Sequence, residues 1–340
     1  MAGALAKGLG LAPERIAKVL YRAPSVLVDD LEPALAESLA SLLHDAGLVV
    51  TVEDATLPPP PAPELFDLAL LPLDVTHLPE IAERLAAFLG TDSRHALELI
   101  LTPPGLILGQ VSGVTAERLE AELLTLPVRV VRSLRSEARY CLADAGLPEP
   151  QRQQLLRVCE PVPAGVAGVL ATNLTADSAG SLVRQHAARS RLPIIDQVFT
   201  QFEIELLEAP ATDAAAEQLV ALSDVPPRVA GRVLAALPVV IADNVSWSEL
   251  ADRLDALAQH GFRARARLTT LDQFRLRRIQ APSEVDLPGL LERLGICDAA
   301  SVPGGGPVDA NGSFPALQAQ LLSRSLRGAG CAVELEREVA

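Results

Sequence analysis

The sequence predicts an α+β protein. It reads as a tandem array of small β-α-α-β-α-β modules, each a three-stranded sheet covered on one face by helices. Three observations predict it. Short apolar runs recur behind Phe66, Tyr140, Phe202 and Phe274, at steps of 74, 62 and 72 residues. Leucines four residues apart precede a glycine or proline and then an alternating strand: Leu39, Leu43 and Gly47; Leu119, Leu123 and Pro127; Leu322, Leu326 and Gly330. A proline stands before each middle strand, at Pro24, Pro104, Pro163 (or Pro161) and Pro238. A repeat of this length exceeds the common helical solenoids and is about one small domain.

Each element follows from local chemistry. Residues 66–131 are the fullest copy. Phe66-Asp67-Leu68-Ala69-Leu70-Leu71 reads as a short buried strand. Helical periodicity runs from about Leu78 to Leu89 and again from Ser93 to Leu101. Pro103-Pro104 ends that pair, because proline lacks the N–H and favours an extended predecessor. Leu106-Ile107-Leu108 is the middle strand, Thr115 to Leu124 the third helix, and Val128-Arg129-Val130-Val131 the closing strand. The other copies open at Tyr140-Cys141-Leu142, Phe202-Glu203-Ile204-Glu205-Leu206 and Phe274-Arg275-Leu276-Arg277-Arg278. Their middle strands are Val26-Leu27-Val28, Val166-Ala167-Gly168-Val169-Leu170 and Val239-Val240-Ile241, and the first copy closes on Val49-Val50-Thr51-Val52. Four-residue leucine spacing places side chains on one helix face, and glycine tolerates the left-handed stop that follows.

The units are 1–54, which lacks its first strand; a Pro-rich linker, 55–65; and 66–136, 137–200, 201–271 and 272–340. The 137–200 unit is the divergent one. In the last, Gly304-Gly305-Gly306 and its neighbours replace a helix.

Composition limits function. Hydrophobic residues make up 49%, so a packed core is expected, and with 3% aromatics it is built from Leu, Val, Ala and Ile. A formal charge of −14 opposes general nucleic-acid binding, which needs a phosphate-neutralising surface. No apolar run is long enough for a membrane span, so no membrane insertion is expected. The first residues lack a signal-peptide pattern and point to the cytoplasm. Cys141, Cys159, Cys297 and Cys331 have no zinc-ligand or C-x-x-C spacing and read as isolated, mostly buried, reduced thiols. Asn173, Asn244 and Asn311 sit in glycosylation-type triplets just before helical segments, where helix capping is expected.

No paired carboxylates, nucleophile–base set or metal-ligand spacing emerges, so no catalytic residues, cofactor or metal are expected. His44 and His260 lie near the ends of equivalent helices, where an imidazole suits the dipole. The arginines stand out on this acidic chain. Arg263, Arg265 and Arg267 alternate on one predicted strand, and Arg275, Arg277 and Arg278 follow on the next. Period-two spacing aims each set at one side of a sheet. Two readings stay open: a solvated face balanced by nearby acids, or a basic contact surface for an acidic partner. Trp247, the single tryptophan, reads as packing between units or as an exposed anchor.

Several of these residues resemble one family, the C-terminal domain of the bacterial ribosomal large-subunit stalk protein. Gly8-Leu9-Gly10-Leu11, Glu14 and Ala23-Pro24 look like the signature around its second helix. Phe66-Asp67-Leu68-Ala69-Leu70 is similar to its opening strand. Val111-Ser112 with Ala116-Glu117 and Leu119, and Ala36-Glu37 with Leu39, resemble its third helix; Ala46-Gly47-Leu48-Val49-Val50 resembles its last turn and strand. The resemblance implies the β-α-α-β-α-β fold, and a second-helix surface that recruits translational GTPases. Lys18 falls near that surface, and Arg94, His95, Arg228 and Arg232 occupy equivalent stretches.

The function expected is a non-catalytic scaffold or adaptor whose repeated surfaces bind other proteins. Binding or recruitment of a GTPase in translation is the alternative, and an enzyme of unknown class the third. The strandless first unit also offers an unpaired edge for self-association.

Overall fold

In the computed structural model, the opening strand of each sheet lies between its later partners. The structure describes residues 12–45, 47–54, 56, 62–144, 147–157, 162–186, 192–282, 285–294, 308–310 and 312–338. The protein is mixed α and β, with several small sheets of three or four strands. Helices α1 (Pro13–Tyr21) and α2 (Pro33–Asp45) come first. The first sheet has order β2-β1-β3, from β1 (Leu65–Pro72), β2 (Leu106–Ser112) and β3 (Val128–Leu134). Its helices are α3 (Leu78–Leu89), α4 (Ser93–Leu101) and α5 (Gly113–Leu123). The second has order β6-β4-β7, from β4 (Tyr140–Ala143), β6 (Val169–Leu174) and β7 (Ile194–Asp196), with α6 (Glu149–Leu156) and α7 (Ala176–His186).

The third sheet, β5-β10-β8-β9, contains β5 (Val166–Ala167), β8 (Gln201–Glu208), β9 (Val239–Ser246) and β10 (Arg263–Leu268). It carries α8 (Ala215–Leu222), α9 (Pro227–Ala235) and α10 (Trp247–Gln259). The fourth, β12-β11-β13, comprises β11 (Gln273–Gln280), β12 (Phe314–Pro315) and β13 (Ala332–Arg337), with α11 (Leu287–Arg293) and α12 (Ala316–Gly328). Among the described residues no helix is long and apolar enough to cross a membrane.

Alternation explains which face each sheet buries. Leu68 and Leu70 of β1 meet Ile81 and Leu85 of α3, Ile100 of α4 and Leu119 of α5 in one core. Buried Leu78, Ile81, Ala82, Leu85 and Ala86 give α3 its apolar stripe. Gly90, at φ 69°, ends it in the left-handed stop. Asp92 caps α4 by accepting from the His95 N–H at 2.8 Å. The other face of β1 is buried too, because Ala69 and Val131 join the core around Phe202, Ile204 and Leu206 of β8. Ile16 of α1 is fully buried, the Tyr21 carbonyl accepts from Thr115 Oγ1 at 2.9 Å, and Arg22 Nε donates to the Gln110 carbonyl at 3.2 Å.

Three sheets share one irregularity. Gly109 and Gln110 oppose Asp67, Thr172 and Asn173 oppose Cys141, and Asp243 and Asn244 oppose Glu203. Each is a β-bulge whose second residue is left-handed: Gln110 at φ 60°, Asn173 at 57°, Asn244 at 51°. A helix starts three residues later, at Gly113, Ala176 and Trp247. This corrects the capping expected of the asparagines. Asn173 and Asn244 sit in the bulge, where a short amide tolerates positive φ; the caps are Thr175, accepting from the Ser178 N–H at 3.2 Å, and Ser246 in a capping box with Glu249.

Other expectations need correction. Val26-Leu27-Val28 and Val49-Val50-Thr51-Val52 form no strand. A strand needs a ladder partner. In the sheets here every strand other than β5 either is the opening strand or pairs with it, and residues 12–54 lack an opening strand. The run Val166–Leu170 is two strands. Gly168, at φ 81°, turns the chain so that β5 pairs parallel with β10 while β6 stays with β4. Residues 57–61 of the Pro-rich stretch, Gly304–Gly306, Asn311, Cys159 and Cys297 lie outside the described residues.

Two glycines test the backbone account. Gly105, at φ 77°, lies so close to β1 that a Cβ would sit 2.7 Å from the Leu70 carbonyl oxygen. Gly231, inside exposed α9, has no atom within 4 Å of that position. Gly105→Ala should lower the urea midpoint, by more than about 1 kcal/mol. Gly231→Ala should raise it, by roughly 0.5–1 kcal/mol.

Candidate functional site

The arginine stripes are the outer halves of two ion-pair ladders. In β10 the sequence alternates Arg and Ala, so Ala266 and Leu268 are buried and the arginines point to the opposite face. β8 alternates in the same way, with Phe202, Ile204 and Leu206 inward and Glu203 and Glu205 outward. Antiparallel register sets Arg265 against Glu205 and Arg267 against Glu203. Arg263 pairs with Glu208, Arg265 with Glu205 at 2.6 Å, and Arg267 with Glu203 at 2.7 Å. In the last sheet Arg275 pairs with Glu338, Arg277 with Glu336 and Asp309 at 2.7 Å each, and Arg278 with Glu334 at 3.3 Å.

The reading that the structure supports is therefore the balanced face. Each arginine of the stripes meets a carboxylate, which leaves no unmatched basic surface there. The outermost pairs are exposed, and exposed pairs contribute about 0–1 kcal/mol each.

At the inner end the two ladders join. Glu203 is 7% exposed. It accepts from Arg267 Nε at 2.7 Å and from both Arg337 guanidinium NH groups, at 3.0 and 2.9 Å. Asp272, on the link between β10 and β11, accepts from both NH groups of Arg267 at 2.7 Å and lies 3.2 Å from Arg337 Nε. Two acids and two arginines close a ring, each acid touching both cations. Arg337 also lies over the Phe274 ring, 5.6 Å from its centroid. The ring ties β8 to β13, 134 residues away. Burial alone would raise the Glu203 carboxyl, but hydrogen bonds from Arg267 and Arg337 outweigh it and hold its pKa below the ordinary glutamate value. The bonds to Asp272 and Glu203 overcome desolvation and push Arg267 up.

Beside the ring, where three sheets meet, lies a groove of about 450 Å³. Leu71, Leu73, Pro104 and Leu317 contribute apolar surface to its lining, and Glu203, Asp243, Asp272 and Arg337 contribute polar surface. Leu73 is 66% exposed. Gln201, also on the groove, buries its Oε1 with no hydrogen-bond partner among the described residues. Glu203 and Asp272 are already paired with Arg267 and Arg337, so this mix of apolar and ion-paired lining suits an apolar segment that carries hydrogen-bonding groups.

The remaining predicted residues lie elsewhere. Trp247 packs against Phe202, ring centroids 5.6 Å apart, in a smaller recess it shares with Arg129 and Val131 of β3. The ring contact is within residues 201–271, and β3 lies across the recess. Lys18 is exposed on α1, with no carboxylate partner among the described residues. His44 and His260 approach the carbonyls of Ala40 and Ala256, four residues back, at 3.3 and 2.9 Å. Burial pushes the Cys141 thiol up to about 12 and also raises Cys331; both are buried and free. Among the described residues no cluster of three or more His, Cys, Asp or Glu could hold a metal ion. Comparison with models of protein families and with curated proteins finds no match.

Sequence reasoning missed Glu203, Asp272 and Arg337. A signal existed: the period-two acids of β8 complement the period-two arginines of β10.

Because the folded pKa of Glu203 lies below its unfolded value, the stability it contributes is present above the ordinary glutamate pKa and is lost as pH falls through the folded one. The wild-type urea midpoint should fall between about pH 5 and pH 3. Glu203→Gln should flatten that slope and cost roughly 1–3 kcal/mol at pH 7, below the fully buried range because Arg337 is 38% exposed.

Proposed function

We propose that the chain is a non-catalytic scaffold or adaptor, an array of modules like the stalk C-terminal domain that holds a protein partner in the groove beside the Glu203 ring. The observation carrying this reading is a shared register. From Pro24, Pro104 and Pro238, a left-handed residue follows six residues on, at Asp30, Gln110 and Asn244. A helix starts nine residues on, at Pro33, Gly113 and Trp247. A glycine or proline stands twenty-three residues on, at Gly47, Pro127 and Gly261. Separate stretches keeping one spacing through proline, bulge, helix and stop are copies of one module, and with residues 137–200 and 272–340 they make five. Fold does not fix function. The partner reading rests on the groove, whose lining comes from residues of the 66–136, 201–271 and 272–340 stretches. The cytoplasmic setting is part of the same proposal.

Recruitment of a translational GTPase is the second reading. It rests on Lys18, exposed on the helix that matches the stalk domain's second helix. If it holds, the chain stimulates an elongation-factor GTPase and Lys18→Glu abolishes the effect; no stimulation at high micromolar concentration excludes it.

The scaffold reading predicts that affinity purification with the tagged full chain retains a defined protein in stoichiometric amount. Leu73→Asp, at an exposed groove position, should reduce that retention about tenfold or more, a loss of roughly 1.4 kcal/mol. Equal capture by both proteins would remove the groove from the account.

A further inference from the structure

The first copy is a sheet without its centre. In the four sheets the opening strands β1, β4, β8 and β11 each pair with strands on both sides. Residues 12–54 keep the register of the module but have no such strand among them, so the segments that would flank it are left over. Val26–Val28 corresponds to β2 and β9, two residues beyond the proline; Val49–Val52 corresponds to β3 and β10. Both are coil, and their apolar side chains face outward: Val26 55%, Val28 36%, Val49 96% and Val52 52% exposed. Leu35 and Leu42 of α2 are 57% and 67% exposed. In the first sheet the helix matching α2 buries Ala116, Leu119 and Leu123; their counterparts here are half-buried Ala36 and Leu39 and buried Leu43, while Leu35 and Leu42 match Thr115 and Glu122.

We propose that residues 24–54 are an acceptor for an extended strand supplied by another polypeptide, which inserts between Val26–Val28 and Val49–Val52 and completes the sheet. The opening strands give the chemistry of the face toward the helices: an aromatic residue, then aliphatic residues at alternate positions. They read Phe66, Leu68, Leu70; Phe202, Ile204, Leu206; Tyr140, Leu142; and Phe274, Leu276. The acceptor sets the chemistry of the remaining positions. Between Pro24 and Asp54 the sequence has seven carboxylates and no lysine or arginine, and all seven are exposed. The donor is therefore basic at its intervening or flanking positions. Strand addition draws affinity from the main-chain ladder and specificity from alternate side chains. A second copy is a poor donor, because its four opening strands are already paired on both sides.

The chain's own sequence supplies matched probes. A peptide of β11, QFRLRRIQ, has arginines at the intervening positions, and a peptide of β8, QFEIELLE, has glutamates. Each would be titrated against the full chain, with hydrogen exchange read at residues 26–28 and 49–52. The expected result is saturable binding of the basic peptide, at least about tenfold tighter than the acidic one in low salt, a gap that narrows as salt screens it. Exchange at both segments slows when the peptide binds. Val50→Pro/Thr51→Pro removes ladder donors in a segment that is already exposed coil, so circular dichroism should stay unchanged while peptide binding disappears. No binding, or binding without slowed exchange at both segments, overturns the proposal. So does protection in the absence of peptide: at all concentrations it indicates a segment of the same chain, and if it grows with concentration it indicates a second copy. The proposal goes beyond the groove reading and fails separately from it, because Leu73→Asp leaves residues 24–54 unaltered.

Discussion

The constraint on which most of this structure depends is that the first strand of each sheet pairs on both sides. An opening strand donates and accepts along two ladders, so the strands that flank it depend on its presence. Two-stranded pieces are marginal in water, and a third strand with an apolar face is what makes a small sheet independent. The helices bury the inward residues of that strand most completely: Leu68, Leu142, Phe202 and Leu276 are each 0% exposed. Residues 12–54 show the converse. With helices, proline and left-handed Asp30 in register but no opening strand, the valine-rich segments stay unpaired.

Small sheets joined end to end could move as separate beads, but here they are tied at three kinds of joint. β5 leaves one unit to pair with β10 of the next, covering an edge that would otherwise be open. Ser133 of β3 donates to buried Asp196 at the end of β7, and that carboxyl, raised mainly by burial, is further held by the Val198 N–H at 3.1 Å. The ring of Glu203, Arg267, Asp272 and Arg337 locks the last two sheets. A half-made ring would leave a buried charge without a partner, so breaking it costs more than the intact ring adds in net stability. The groove lies beside it.

Much of the fold is legible because its signals are local. Pro103-Pro104 stops one helix, Gly90 stops another, and alternation in Arg263–Leu268 marks a strand without any tertiary information. What stays hidden is pairing over distance. The arginines of β10 are visible in sequence, but the glutamates opposite them lie 55 to 64 residues away and are found only through register. Val49–Val52 has the composition of a strand, and composition does not reveal that the partner strand is missing. Gly168 reads as a position inside one strand until β10 is seen to draw Val166 and Ala167 to the neighbouring sheet. Asn244 precedes a helix and so suggests a cap, although two further residues separate it from α10 and its own role is the bulge.

The central claim is that each sheet is built around its opening strand. Residue-resolved hydrogen exchange on the intact chain, without added ligand, tests it most directly. The account predicts that in each sheet the slowest amides lie on β1, β4, β8 and β11, and that residues 26–28 and 49–52 exchange at close to free-peptide rates. Flanking strands more protected than the opening strands, or strong protection at residues 26–28 and 49–52, would contradict it.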